Sequence, residues 1–356
     1  MKKILFTFLF VIASITILIP HERFYASAST SSSKIVMEVS TGRVLYEDNA
    51  YERKFMASTT KILTAITIIE NCNLDEIITV SNQTVGVEGS SIYLEAGEKL
   101  SIKNLLYGLM LRSGNDCAET LAVHCSKTIK DFSILMNETA NKIGEKNSNF
   151  VNPQGLHDDN HYTTAYDLAK ISCYAMKNQT FREIAGTKSV KIPFTTRGYD
   201  RYLVNKNKML KEFDGSTGIK TGFTKKAGRC LVSSCMRDGM ELVCVVLNCP
   251  PMFEESKTLL TNCFNRYQMY KLYESDYIVA FIPVKDEKEK CAVCVKEDII
   301  LPLSYDESQV IKITYEYPEE LEKPIKKDQE IGFIKIYAAN NLLFTQKIYT
   351  INNILN

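Results

Sequence analysis

Between Gly218 and Cys249 the chain reads GIKTGFTKKAGRCLVSSCMRDGMELVCVVLNC, three β-rich runs separated only by KKAG and RDG. Connections this short leave no room for a crossover, so the runs must pair antiparallel in sequence order. The second turn carries an Asp-Gly hairpin signal. Near the start, KIVMEVSTGRVLYEDNA places two further β-rich runs around Ser-Thr-Gly, a second hairpin. Between these the period changes. Ile62, Leu63, Ile66 and Ile69 recur at helical spacing after Ser58. SIKNLLYGLMLR lines up Ile102, Leu105, Leu106, Leu109 and Met110 on one face, and DCAETLAVHC follows directly. Ser113-Gly114-Asn115 is the break, with Gly114 expected to take a backbone conformation that other residues resist.

After the three runs, FEESKTLLTNCFNRYQMYKL reads as one long amphipathic helix. The expected fold class is α+β: terminal hairpins joined in one antiparallel sheet, with helices packed on it. Beyond Leu272, YIVAFIPV, CAVCV, IKITYEY, IGFIKIYA and LLFTQKIYTI are short β-rich runs. They predict a small all-β C-terminal domain, a sandwich of roughly eighty residues. The expected divisions are therefore 1–28, 29–272 and 273–356.

The first division is a signal peptide rather than part of the fold. MKK is a short positive region, ILFTFLFVIASITILI is apolar and ends at Pro20, and ASA at 26–28 offers a cleavage site. Export is expected. The formal net charge is +1, and −1 without the first 28 residues, which hold Lys2, Lys3, Arg23 and Glu22. A balance so near zero lacks the concentrated basic surface that nucleic acid requires. The 11 cysteines are an odd number for an exported chain. Cys230, Cys235 and Cys244 lie in apolar strand-like runs, where free cysteine acts as a small core hydrophobe. Cys291 and Cys294 form a C-x-x-C without a second pair at metal spacing. Mostly free thiols are expected.

Three short signatures stand in order: Ser58-x-x-Lys61, Ser113-Gly114-Asn115 and Lys220-Thr221-Gly222. Singly each has a plain structural reading, as a helix cap, a turn or a strand end. Together each sits on the element its chemistry needs. A serine at the first turn of a helix lies near unsatisfied N–H groups. A lysine one turn later faces it. Desolvation and a second cation such as Lys220 lower a lysine pKa toward that of a usable base. Ser31-Ser32-Ser33-Lys34 has the same spacing, but alternating IVMEV follows it, so that match is discarded.

The ordered trio resembles that of the serine penicillin-binding proteins and serine β-lactamases. MASTTKILTA, LLYGLMLRSGNDCAETLA, NPQGLHDDNHYTTAYDLA and GIKTGFTKKAGRCLVSS further resemble the low-molecular-mass D-Ala-D-Ala carboxypeptidases (peptidase S11-like). The resemblance covers about Lys34 to Leu272, and more loosely the β-domain. It implies peptidoglycan stem peptides ending in D-Ala-D-Ala as substrate and β-lactams as covalent inhibitors. It also implies Ser58 as nucleophile, Lys61 as its base, and Ser113 and Asn115 as proton shuttle and peptide anchor. Lys220, Thr221 and Thr224 would face the substrate, beside Gly222. The N–H groups of Ser58 and Phe223 would form the oxyanion hole.

One departure concerns the substrate carboxylate. Some relatives grip it with an arginine after the last sheet strand, and here LNCPPMFEESK has none; Lys206 falls near a basic position of the family. The alternatives are a class A-like β-lactamase and an inactive wall-binding homologue. The first needs a glutamate that NSNFVNPQGLHDDNHYTT lacks. The second is opposed by the complete polar trio. No G-x-S-x-G, H-E-x-x-H, phosphate loop or EF-hand occurs, so neither cofactor nor metal is implied. INNILN, at the end, is too short and lacks the basic residues for an amphipathic membrane anchor, so no C-terminal anchor is expected.

Overall fold

The computed structural model describes residues 31–355, so the signal segment expected at 1–28 lies outside the described residues. Strands β1 (Ser33–Glu38) and β2 (Val44–Asp48) form the first hairpin. A 3-10 turn, Ala57–Thr60, runs into α1 (Lys61–Asn71). A short hairpin of β3 (Ile77–Thr79) and β4 (Lys99–Ser101) precedes α2 (Ile102–Leu111) and α3 (Asn115–Ser126). Then come α4 (Ile129–Ile143), α5 (Ala165–Lys177) and α6 (Gln179–Gly186). The hairpin β5 (Ser189–Phe194)–β6 (Tyr199–Val204) and the short α7 (Met209–Glu212) follow. The meander β7 (Ser216–Thr224), β8 (Gly228–Arg237) and β9 (Met240–Leu247) then leads into α8 (Met252–Arg266).

The five-stranded sheet has the order β2-β1-β9-β8-β7, so the two chain-distant hairpins do join. Asp238 and Gly239 both have positive φ, the conformation that a two-residue hairpin turn demands. Strand β9 is buried along its whole length because both faces are covered. Val243, Val245 and Leu247 join the core under the helices, whereas Leu242, Cys244 and Val246 pack with Leu260 of α8. The period-2 alternation of a strand thus feeds two separate cores. β7 is left as the free edge of the sheet, lying against the Ala57–Thr60 turn.

Helix starts follow local chemistry. Ser101, Thr128 and Thr164 each accept a first-turn N–H at the starts of α2, α4 and α5. At the break before α3 the expectation about Gly114 is corrected. Ser113 takes the left-handed conformation, with φ +64°, while Gly114 sits at φ −60°. Gly114 is needed for space instead: a Cβ there would stand 2.8 Å from Asp116 Oδ1 and 3.0 Å from Cys117 Sγ.

A second correction concerns α8, which ends at Arg266. Tyr267–Tyr273 is strand β10, paired with β13 (Ile299–Ser304), so the division expected after Leu272 runs through a strand. The remaining elements are β11 (Ile278–Pro283), β12 (Lys290–Cys294), α9 (Tyr305–Ser308), β14 (Ile311–Glu316), β15 (Glu330–Ala338) and β16 (Asn341–Thr350). A sheet ordered β11-β12-β16-β15-β14 and the β10-β13 pair share one core, in which Leu301 and Leu303 meet Ile334, Ile336 and Ile348. The all-β C-terminal part is therefore as expected. Cys291 and Cys294 are both buried and lie three apart on one strand, which points them to opposite faces. The C-x-x-C cannot close on itself.

Candidate active site

The first signature is built on a strained turn. Ala57 has φ +49°, uncommon for a residue with a Cβ, and Ser58 follows it on the 3-10 turn that leads into α1. Ser58 is therefore not a capping serine; no side chain caps this turn. The strain is held from beneath. His161 Nδ1 accepts the Val151 N–H at 3.0 Å, so its proton sits on Nε2, which donates to Thr60 Oγ1 at 2.8 Å. Thr60 in turn donates to the Ala57 carbonyl at 2.8 Å. Burial pushes His161 down to about 4 and keeps it neutral. Gly155, at φ +84°, backs onto the same carbonyl, where no side chain fits.

Lys61 is fully buried. Its Nζ lies 3.2 Å from Ser58 Oγ, 2.7 Å from Asn115 Oδ1 and 2.6 Å from the Gln154 carbonyl. The orientation of Asn115 is set on its other side, where Nδ2 donates to the Glu88 carbonyl at 2.5 Å. Burial first, and the Lys220 charge second, hold Lys61 well below the usual lysine value.

Lys220 is 2% exposed, donates to the Thr221 carbonyl at 3.0 Å, and is pulled down to about 7 by burial and then by Lys206. Lys206 donates to Ser90 Oγ at 3.0 Å and is lowered by burial and by Arg112. Among the described residues, none of the three lysines has a carboxylate partner. They form a run of amines beside one serine, each with its charged form disfavoured by burial.

The third signature is brought in by close packing. A Cβ at Gly222 would stand 2.9 Å from the Met56 oxygen and 3.2 Å from the Ser58 nitrogen, so only glycine lets β7 approach the turn. Thr221 is half-buried, and Phe223, 61% exposed, projects from the same face. Thr224 Oγ1 accepts the Ala227 N–H at 2.9 Å, so its oxygen also serves the turn. Ser113 is 5% exposed, and among the described residues its hydroxyl makes no hydrogen bond. The structure thus brings Ser58, Lys61, Asn115 and Lys220 into one group, with Ser113 at the start of α3 and Thr221 to Thr224 along the sheet edge.

Three contributors escaped the sequence reading. The Gln154 carbonyl touches Lys61 from the loop after α4; a backbone atom leaves no motif. Asp116 binds Ser91 Oγ at 2.5 Å and the Leu94 N–H at 3.0 Å, ordering the loop that carries Glu88 and Ser90. Arg229 stands directly across from Phe223 in the β7–β8 register, 5.6 Å over its ring, and like it projects on the Thr221 face. It is exposed and has no ion pair among the described residues. Among the described residues no group of His, Cys, Asp and Glu could hold a metal ion.

Residues 21–250 match the D-alanyl-D-alanine carboxypeptidase family (peptidase S11), and residues 267–355 match the C-terminal domain of penicillin-binding protein 5. The D-alanyl-D-alanine carboxypeptidase DacF of Bacillus subtilis is 31% identical over 328 residues, 89% of this chain and 84% of its own length. The crystal structure of penicillin binding protein 5 from Haemophilus influenzae superposes with a TM-score of 0.80 at 25% identity, covering 92% of this chain and 98% of that one. That of the carboxypeptidase DacD from Francisella tularensis gives 0.70 at 27%, covering 91% and 93%.

Proposed function

Because this chain belongs to the D-alanyl-D-alanine carboxypeptidase family, and is a hydrolase of that type, we propose that it removes the terminal D-alanine of peptidoglycan stem peptides through an ester on Ser58. The observation that carries this mechanism is the surroundings of the Lys61 amine. A neutral amine has two N–H groups and one lone pair. Asn115 Oδ1 and the Gln154 carbonyl are acceptors only, and they take the two N–H groups. The lone pair is left for the third neighbour, Ser58 Oγ, which then donates its proton to Lys61.

Ser58 Oγ attacks the carbonyl carbon of the penultimate D-alanine as its proton passes to Lys61. The tetrahedral oxyanion lies against the N–H groups of Ser58 and Phe223. The C–N bond breaks as the leaving amine gains a proton through the Ser113 hydroxyl, which has no other partner among the described residues. Water then hydrolyses the ester and frees Ser58. Penicillins, whose amide occupies the same place, acylate Ser58.

The terminal carboxylate meets Lys220, the Thr221 hydroxyl and Arg229. Arg229 and Thr221 are diagonal neighbours on one face of the β7–β8 pair, within reach of a long side chain. A fixed positive charge without a carboxylate there suits an anion. Residues 1–28 act as an export signal, which places the enzyme where its substrate lies; N-terminal sequencing of the secreted chain should begin near Ser29.

The decisive test is mass spectrometry after incubation with benzylpenicillin. An adduct on a Ser58 peptide is expected, absent in Ser58→Ala. Lys61→Arg should lose most acylation, since arginine keeps the charge but does not give up its proton. Near-normal labelling of either variant refutes the mechanism.

A further inference from the structure

Helices α1 and α3 carry the two catalytic signatures at their starts, where Lys61 and Asn115 touch. Eleven residues on, α1 is capped by Cys72; ten residues on from Asn115 lies Cys125. At 1.5 Å per residue these lengths are about 16 Å and about 15 Å, so two helices running side by side reach their far ends together. They do. Glu76, just beyond α1, pairs with His124 of α3 at 3.4 Å, and Cys72 and Cys125, at the same ends, both pack against one core.

These two cysteines also differ from the rest. The other nine are buried, whereas Cys72 and Cys125 are half-exposed and open to a reagent. We propose that Cys72 and Cys125 are an oxidation site, forming a disulfide that braces the far ends of the two helices whose near ends hold the catalytic groups. The Cys125 thiol is lowered to about 6, chiefly by its contact with Cys72, and so supplies the attacking thiolate.

The oxidant is a disulfide, whether a small molecule or an exported thiol–disulfide oxidoreductase. The Cys125 thiolate attacks one of its sulfurs; that S–S bond breaks and one thiolate leaves. Cys72 then loses its proton and attacks the Cys125 sulfur of the mixed disulfide, displacing the second thiol. Two cysteine thiols are oxidised and one disulfide is reduced to two thiols. The closed loop, residues 72–125, is long, so the cross-link constrains the unfolded chain strongly.

The test uses the full reduced chain, treated with oxidised glutathione, acid-quenched, denatured, alkylated and mapped by mass spectrometry. A linked Cys72–Cys125 peptide is expected, two hydrogens lighter than the separate thiols, with the other nine cysteines alkylated. Cys72→Ser should instead retain glutathione on Cys125. The oxidised chain should melt higher by roughly 5 °C, reversibly with dithiothreitol. Recovery of both cysteines alkylated, or each glutathionylated, overturns the proposal; a linked chain with an unchanged midpoint overturns the bracing role.

Discussion

At the scale of single residues, the site depends on lysines held short of full charge. On the proposed mechanism Lys220, pulled down to about 7 by burial, would bind the substrate carboxylate best when protonated. Its deprotonation should make kcat/KM fall as pH rises through about 7. Lys220→Arg should move that limb to higher pH, because arginine stays charged; an unmoved limb would show that another group sets it. The proposed mechanism gives Arg229 the same task. Arg229→Leu should cost about 10- to 100-fold in kcat/KM for peptides ending in a free carboxylate, the worth of one hydrogen bond to a charged group. The same change should leave C-terminal amide analogues unaffected, and an equal loss on both would remove Arg229 from the carboxylate site.

At the scale of elements, Ser58, the proposed nucleophile, sits on a strained turn that neighbours must hold. His161 joins the loop at Val151 to the turn at Thr60 and works only when neutral, since a proton on Nδ1 would meet the Val151 N–H. Its native pKa, about 4, is depressed below the unfolded value of 6.5 by burial. The folded state therefore binds fewer protons. Its contribution to stability is fully present above 6.5 and is lost as pH falls toward 4. His161→Gln should flatten the fall in urea-unfolding free energy between pH 7 and 4, and His161→Ala should cost about 2–4 kcal/mol at pH 7 through a cavity and unpaired buried groups. An alanine variant as stable as the parent would show that the turn does not need this support.

At the scale of the whole molecule, the two parts of the chain meet through the first hairpin. Arg43, in the β1–β2 connection, donates to the Pro302 carbonyl, pairs with Glu307 of α9 and lies 5.6 Å over the Tyr267 ring. Arg43→Ala should split the calorimetric unfolding into two transitions, with the C-terminal part melting first, at a cost of about 1–3 kcal/mol to the coupling. A single unchanged transition would place the coupling elsewhere. Among the described residues no helix is long and apolar enough to cross a membrane.

What the chain states by itself is local. KKAG and RDG are too short for anything but antiparallel neighbours, and Ser58, Lys61, Ser113, Asn115 and Lys220 are legible because their residue types recur in one order on suitable elements. Tyr267–Tyr273 was not legible: Tyr267 and Tyr270 suit a helix face as well as a strand, and pairing with Ile299–Ser304 decides. Nor could the sequence say that Ser113, not Gly114, would take the left-handed backbone, since a glycine marks the break without saying which residue turns. The electrostatics of the site belong wholly to the tertiary structure. On the proposed mechanism a lysine becomes a base through lost water and a second cation: beyond burial, the Gln154 carbonyl and the Lys220 and Lys206 charges converge on it from three separate stretches of chain. No spacing in a sequence records that convergence, because it is made by elements that meet only when the sheet has closed.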